Sequence, residues 1–186
     1  MKSNESSKKS SSLKIVIALV VLAAIFFIGK PLYMQPAYDD GEIAPNFSGK
    51  NIQGMEFQLT DLRGNYVLVD FWGSWCGPCI GQIPELKELY RNFNGKGYKA
   101  ANGFEIVSVA VEQSERRWPK AVKNYGLEWS YHTLDLATSL RFFDSPIAVD
   151  YGVKEVPTTF LLDEKGQIVG VNWSGEKISE YLKNKM

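Results

Sequence analysis

Cysteine and histidine are scarce in this chain of 186 residues, which has two of the first and one of the second. A structural zinc site normally takes four Cys/His ligands, so one is not expected here. Charge of one sign is not in excess either: 21 basic side chains face 21 acidic ones. A net charge of zero supplies no long-range field to gather nucleic acid or acidic substrates. No Lys/Arg-rich stripe alternates with aromatics, which leaves nucleic-acid binding without support. Internal repeats are also lacking. The two cysteines, Cys76 and Cys79, stand three positions apart. A structural disulfide does most when it joins distant segments and removes much unfolded-chain entropy. This pair would close only a minimal ring, and what remains for it is reversible redox chemistry.

Long apolar runs are confined to the first thirty-odd residues. Residues 1–12 are rich in Ser and Lys with nothing apolar to bury, which predicts a disordered tail. Ile15 to Ile28 is an uninterrupted run of fourteen apolar residues. At 1.5 Å per residue it spans about 21 Å, short of a ~30 Å hydrocarbon core. Residues 13–34 reach roughly 33 Å, with Lys14 and Lys30 snorkelling toward the headgroups. The segment 13–34 therefore reads as a transmembrane signal-anchor. A cleaved signal peptide is the competing reading, but a good small-x-small site is missing. The best candidate, Val21-Leu-Ala23, would leave Ala-Ile-Phe-Phe-Ile at the new terminus. No cysteine follows the run before Cys76, which excludes a lipoprotein. Lys2, Lys8, Lys9 and Lys14 precede the apolar run, against a single Glu5. Positive-inside reasoning puts the tail 1–12 in the cytoplasm and everything after residue 34 outside, on the periplasmic side. Residues 35–45, with Pro36, Pro45 and Gly41, read as a linker, and residues 46–186 as one domain.

Within that domain, Tyr66 to Trp72 is a short apolar run rich in β-branched and aromatic residues, the signature of a buried strand. After Trp75 the apolar positions become Ile80, Ile83, Leu86, Leu89, Tyr90 and Phe93, a helical stripe that Asn94-Gly-Lys-Gly97 stops. Phe104 to Val111 predicts a second buried strand, and residues 114–125 a second helix, starting near Trp118-Pro119. Strands over 158–162 and 167–172 flank Asp163-Glu-Lys-Gly166, which has the size and Gly placement of a hairpin turn. A closing helix over 176–184 completes an α/β fold: a central mixed sheet flanked by helices.

The strand–Cys-x-x-Cys–helix order places Cys76 in the first helical turn. Free N–H groups and the helix dipole there stabilise a thiolate and lower its pKa. The thiolate attacks in disulfide exchange, which makes Cys76 the natural nucleophile. Cys79, one turn on, can reach the same sulfur and resolve a mixed disulfide. Asp70 is a carboxyl in the middle of an apolar strand, costly unless protonated or partnered. A paired structural aspartate, or one facing solvent, is the plainer alternative for it. His132, the only histidine, reads as a surface or strand residue rather than a catalyst.

Val69 to Cys79, with Trp75-Cys-Gly-Pro-Cys79 at its end, resembles the active-site segment of thioredoxin. Tyr151 to Asp163 is similar to the segment that bears that superfamily's cis-proline. Ala44 to Phe47 and Leu59 to Gly64 resemble the opening hairpin of the TlpA/ResA-like branch, which consists of membrane-tethered, extracytoplasmic reductases. The resemblance implies a thioredoxin-like fold with Cys76 as nucleophile, Cys79 as resolving thiol and Pro157 as a cis-proline facing them. It also implies that Trp75, Val156 and Thr158 border the surface where substrate docks, and that Asp70 relays a proton for the resolving thiol. Members of the branch often carry a glutamate three residues after the second cysteine. This chain has Gln82 there, which cannot titrate and leaves Asp70 for the task.

The expected activity is that of a protein-disulfide reductase without a bound organic cofactor or metal. Gly77-Pro78 between the cysteines matches thioredoxin, a reductant with a potential near −270 mV. The resemblance favours a place in cytochrome c maturation and implies a membrane partner that delivers electrons. An oxidase or isomerase of folding proteins is the alternative within redox chemistry. A copper metallochaperone is the alternative outside it, although no histidine follows Thr133 to supply a late ligand. A peroxidase is disfavoured, because its Thr-x-x-Cys setting would need Thr where Gly73 stands.

Overall fold

The computed structural model describes residues 4–34, 38, 41–51, 53–141 and 143–186, with backbone alone for 4–13 and 31–34. It divides into two compact units, Met1–Gln35 and Pro36–Met186. The first is a single helix, α1 (Asn4–Met34). The tail expected to be disordered is thus helical from Asn4, because a helix once nucleated by an apolar run extends cheaply through Ser, Lys and Glu. Among the described residues no helix is long and apolar enough to cross a membrane. The expected span 13–34 extends past the described side chains, 14–30, at both ends. Residues 1–3 of the expected tail, and 35–37, 39 and 40 of the expected linker, lie outside the described residues.

The second unit opens with a small hairpin, β1 (Ser48–Lys50) and β2 (Glu56–Gln58), and a 3-10 turn, Leu59–Leu62. It continues through β3 (Tyr66–Trp72), α2 (Gly77–Phe93), β4 (Phe104–Glu112), α3 (Trp118–Tyr125) and β5 (Tyr131–Leu136). Then come α4 (Pro146–Asp150), β6 (Thr158–Leu162), β7 (Ile168–Val171) and α5 (Gly175–Lys185). The main sheet has the order β5-β4-β3-β6-β7. Its first three strands run parallel, while β6 is antiparallel to β3 and β7 to β6.

Side-chain alternation along β3 and β4 sorts the core into two layers. Val67, Val69, Phe71, Val107, Val109 and Val111 pack on the face shared with Phe57, Ile147 and Tyr151. Tyr66, Leu68, Phe104 and Ile106 turn the other way, toward Leu86, Leu89 and Phe93 of α2 and Ile178 and Leu182 of α5. Further along that second face, Trp72 and Ala110 meet Trp118, Ala121 and Val122 of α3. Helices therefore cover both faces, as a mixed sheet with parallel crossovers requires.

The hairpin β6–β7 turns where Gly166, at φ +83°, adopts a conformation most residues avoid. Asp163 Oδ1 accepts the N–H groups of Lys165 and Gln167, which sets the register. On the first face, the fully buried Phe160 ring lies 5.0 Å from that of Tyr151 and 5.9 Å from that of Phe71. Phe160→Ala is expected to cost about 3–5 kcal/mol of unfolding free energy by urea titration, with the m-value retained.

Candidate active site

The site is assembled where β3 gives way to α2. Gly73 lets the chain turn closely there: a Cβ on it would lie 2.5 Å from Trp75 Nε1 and 2.7 Å from Trp75 Cε2. The indole N–H of Trp75 donates to the Val111 carbonyl at 2.9 Å, and the Ser74 N–H donates to Glu112 Oε1 at 2.6 Å. The end of β4 thus holds the loop before the cysteines at two points. Sequence reading missed Glu112, although a carboxyl ending the apolar run Phe104–Val111 was a visible anomaly.

Cys76 is the N-cap of α2, in extended backbone (φ −91°, ψ 102°), and not a residue of its first turn as expected. The reason is chemical. The Cys76 Sγ accepts the Cys79 N–H at 3.2 Å, as a Ser or Asp oxygen would at an N-cap, while Pro78 occupies the first turn where no N–H is needed. The two sulfurs are bonded to each other, with Cα atoms 5.3 Å apart. Both cysteines are buried, 4% and 3% exposed, in a cluster with Trp72, Ala110 and Trp118. Gly77 and Pro78 are exposed beside them.

Val156–Pro157 is a cis peptide, and the Val156 carbonyl lies 3.6 Å from Cys76 Sγ. Trp75 is 38% exposed, with its ring 6.4 Å from that of Phe143. Among the residues named from sequence, Cys76, Cys79, Trp75, Val156 and Pro157 therefore frame one patch. The Thr158 side chain does not join it: it is buried, and its hydroxyl donates to the Glu155 carbonyl at 2.8 Å.

Asp70 lies two residues before Trp72 on the same face of β3 and is buried. Burial pushes its carboxyl pKa up to about 7, against a smaller opposing effect of the Ser108 hydroxyl, which donates to Asp70 Oδ2 at 3.2 Å. Ser108 in turn accepts the Trp129 indole N–H at 3.0 Å. A hydroxyl inside the β4 apolar run was visible in the sequence, but its pairing with Asp70 is set by the β3–β4 register. His132 sits on β5 as a buried residue, not a surface one, because its ring packs against that of Trp129 at 5.4 Å. Burial holds its pKa down at about 4, so it is neutral at physiological pH. On α2, Gln82 Oε1 is buried with no hydrogen-bond partner among the described residues.

A dithiol made here would have one sulfur at a helix start, where an amide N–H and the dipole favour negative charge. The other sulfur is one turn inward, on the side of the sheet that holds a carboxyl able to gain or lose a proton near neutrality. That arrangement suits exchange of two electrons with a disulfide.

Comparisons with known proteins agree with this chemistry. The model of the AhpC/TSA family matches residues 41–171. The thiol–disulfide oxidoreductase ResA of Bacillus cereus (strain ATCC 10987 / NRS 248) is 29% identical over 192 residues, covering 95% of this chain and 97% of that protein. The thiol–disulfide oxidoreductase ResA of Bacillus subtilis (strain 168) is 31% identical over 157 residues, covering 82% and 80%. Among solved structures, the thioredoxin domain of a thiol–disulfide oxidoreductase from Bacteroides vulgatus superposes with a TM-score of 0.67 at 28% identity, covering 80% of this chain and 98% of that one.

Proposed function

The chain belongs to the AhpC/TSA family, among its ResA-like thiol–disulfide oxidoreductases, and from that premise we propose that it is a membrane-tethered reductant of extracytoplasmic protein disulfides. The observation that carries the reading is the Cys76–Cys79 pair at the start of α2, with the Val156 carbonyl 3.6 Å from Cys76 Sγ.

In the reduced protein, the Cys76 thiolate attacks one sulfur of a substrate disulfide and releases the other as a thiolate. A mixed disulfide results. Cys79 then gives its proton to Asp70 and attacks Cys76 Sγ, which frees the second substrate thiol and closes the Cys76–Cys79 bond. Two electrons pass to the substrate in each cycle, and a membrane electron donor returns them. Trp75 and the Val156–Pro157 edge receive the substrate strand; Thr158 contributes through its backbone. Cytochrome c maturation, whose cysteines must be reduced before haem attachment, is the process this role fits.

Residues 13–34 serve as an uncleaved anchor, residues 1–12 as a cytoplasmic tail, residues 35–45 as a linker and residues 46–186 as the catalytic domain. In support, the large apolar side chains from Ile15 to Ile28 are exposed on α1, and the four lysines lie on the side expected to stay inside. Protease added outside intact protoplasts is expected to remove the domain and leave the membrane segment. A domain protected until lysis would overturn the orientation.

The reductant reading predicts that residues 36–186 catalyse reduction of insulin by dithiothreitol. It also predicts a Cys76/Cys79 potential near −270 mV in glutathione or dithiothreitol redox buffers. A potential near −120 mV would make the protein an oxidant. No reductase activity, with copper retained through dialysis, would favour a metallochaperone.

A further inference from the structure

Asp70, Ser108 and His132 form a buried row across β3, β4 and β5. Asp70 is the register partner of Ser108, and Ser108 of His132, so all three project from one face of the sheet. Between the two ionisable groups stands one hydroxyl with three functions to fill: one proton to give and two lone pairs to receive. An indole N–H can only donate, so the 3.0 Å contact from Trp129 takes one lone pair of Ser108 Oγ. The hydroxyl proton is then directed to Asp70 Oδ2, 3.2 Å away, which is its acceptor among the described residues.

We infer that Ser108, oriented by Trp129, is a positioning residue for the reaction: it commits its hydroxyl proton to the Asp70 carboxylate and thereby keeps that group able to accept a proton from Cys79. The inference rests on the role given to Asp70 under Proposed function. A carboxylate buried with no donor would stay protonated at neutral pH and could take nothing from a thiol. One charge-assisted hydrogen bond moves the balance back toward ionisation.

Other groups on this side of the sheet do not do the same work. Thr159, the register partner of Asp70 on β6, carries no charge. His132 is neutral at physiological pH and supplies none either. From α2 comes Cys79, the proposed proton source, together with Ile83 and Leu86; α5 turns Ile178 and Leu182 inward, and α3 Trp118, Ala121 and Val122. Glu112 lies four residues further along β4 and is engaged with the Ser74 N–H. Ser108 is thus the one donor to Asp70 among the described residues.

The test uses the full-length chain in detergent micelles with ¹³C-labelled aspartate, so that the Asp70 carboxyl is titrated directly and without catalysis. Ser108→Ala should move the Asp70 midpoint up by on the order of one pH unit. Starting from half ionisation near pH 7, that shift lowers the ionised fraction and the rate of mixed-disulfide resolution about fivefold. Ser108→Thr, which restores a hydroxyl, should return the midpoint toward the original. Because Ser108→Ala also strands the Trp129 N–H, the pair Ser108→Ala/Trp129→Phe provides a variant without an orphaned donor and should show the same upward shift. An Asp70 midpoint unmoved in both variants overturns the inference. If the midpoint moves while Asp70→Asn leaves resolution unchanged, the positioning of Asp70 stands and its assigned role in proton transfer falls.

Discussion

Cys76→Ser is expected to abolish disulfide reduction altogether, to the rate of dithiothreitol alone, whereas Cys79→Ser should retain the first half of the reaction and stop there. The asymmetry follows from the two positions. Cys76 is the N-cap, where its sulfur accepts the Cys79 N–H and the Val156 carbonyl lies 3.6 Å away. Serine there has an oxygen that cannot form a disulfide, so no covalent intermediate arises at any pH. Cys79 lies inside the helix, past the start that favours a thiolate, and is placed to strike its neighbour and not to attack a protein substrate first. Its loss should convert a catalyst into a trap. Non-reducing gels of cells expressing the Cys79→Ser chain should show discrete higher-mass bands that dithiothreitol dissolves, and the Cys76→Ser chain should show none. Equal trapping by both variants would mean that the helix start does not choose the nucleophile.

How much of this was legible in advance depended on whether a feature was written locally. β3 is a run of seven residues whose apolar and β-branched composition has one interpretation, and its limits coincide with those expected. The turn Asp163–Gly166 carries its own instructions, since the carboxylate and the glycine that shape it lie inside it. α4 was invisible because what starts it is remote: the N–H groups of Ile147 and Ala148 are received by Asp135, at the end of β5. β5 itself was hidden by its inward polar residues, His132 and Asp135, which disguise the alternation of a buried strand. The same division holds at the site. Cys76, Cys79 and Pro157 announce themselves through spacing and resemblance. The Ser108 link to Asp70 exists only through the pairing of β3 with β4, and no local pattern states which hydroxyl will face which carboxyl.

Asp70→Asn should then produce two effects of opposite sign. The first is kinetic. Asparagine cannot accept the Cys79 proton, so resolution of the mixed disulfide should slow by about 10²-fold at pH 7, the low end of what a positioned base contributes, while formation of the mixed disulfide is spared. The second is thermodynamic. The folded-state pKa of Asp70 is raised to about 7 from an ordinary carboxylate value of 3.8. Between those two limits the native protein binds a proton that the unfolded chain releases, so stability falls as pH rises through this window and levels off above it. Wild type should therefore become less stable from pH 4 to pH 7 relative to Asp70→Asn, which has no charge to bury. The difference is bounded at on the order of 4 kcal/mol for a shift of this size, and it should vanish near pH 4. Urea titrations of both chains at pH 4 and pH 8 read it directly. If the asparagine variant gains nothing at pH 8, the carboxyl is already paired in a way that offsets its burial. Slower resolution together with a gain in stability at pH 8 would mark Asp70 as a residue held for proton acceptance at the expense of the fold.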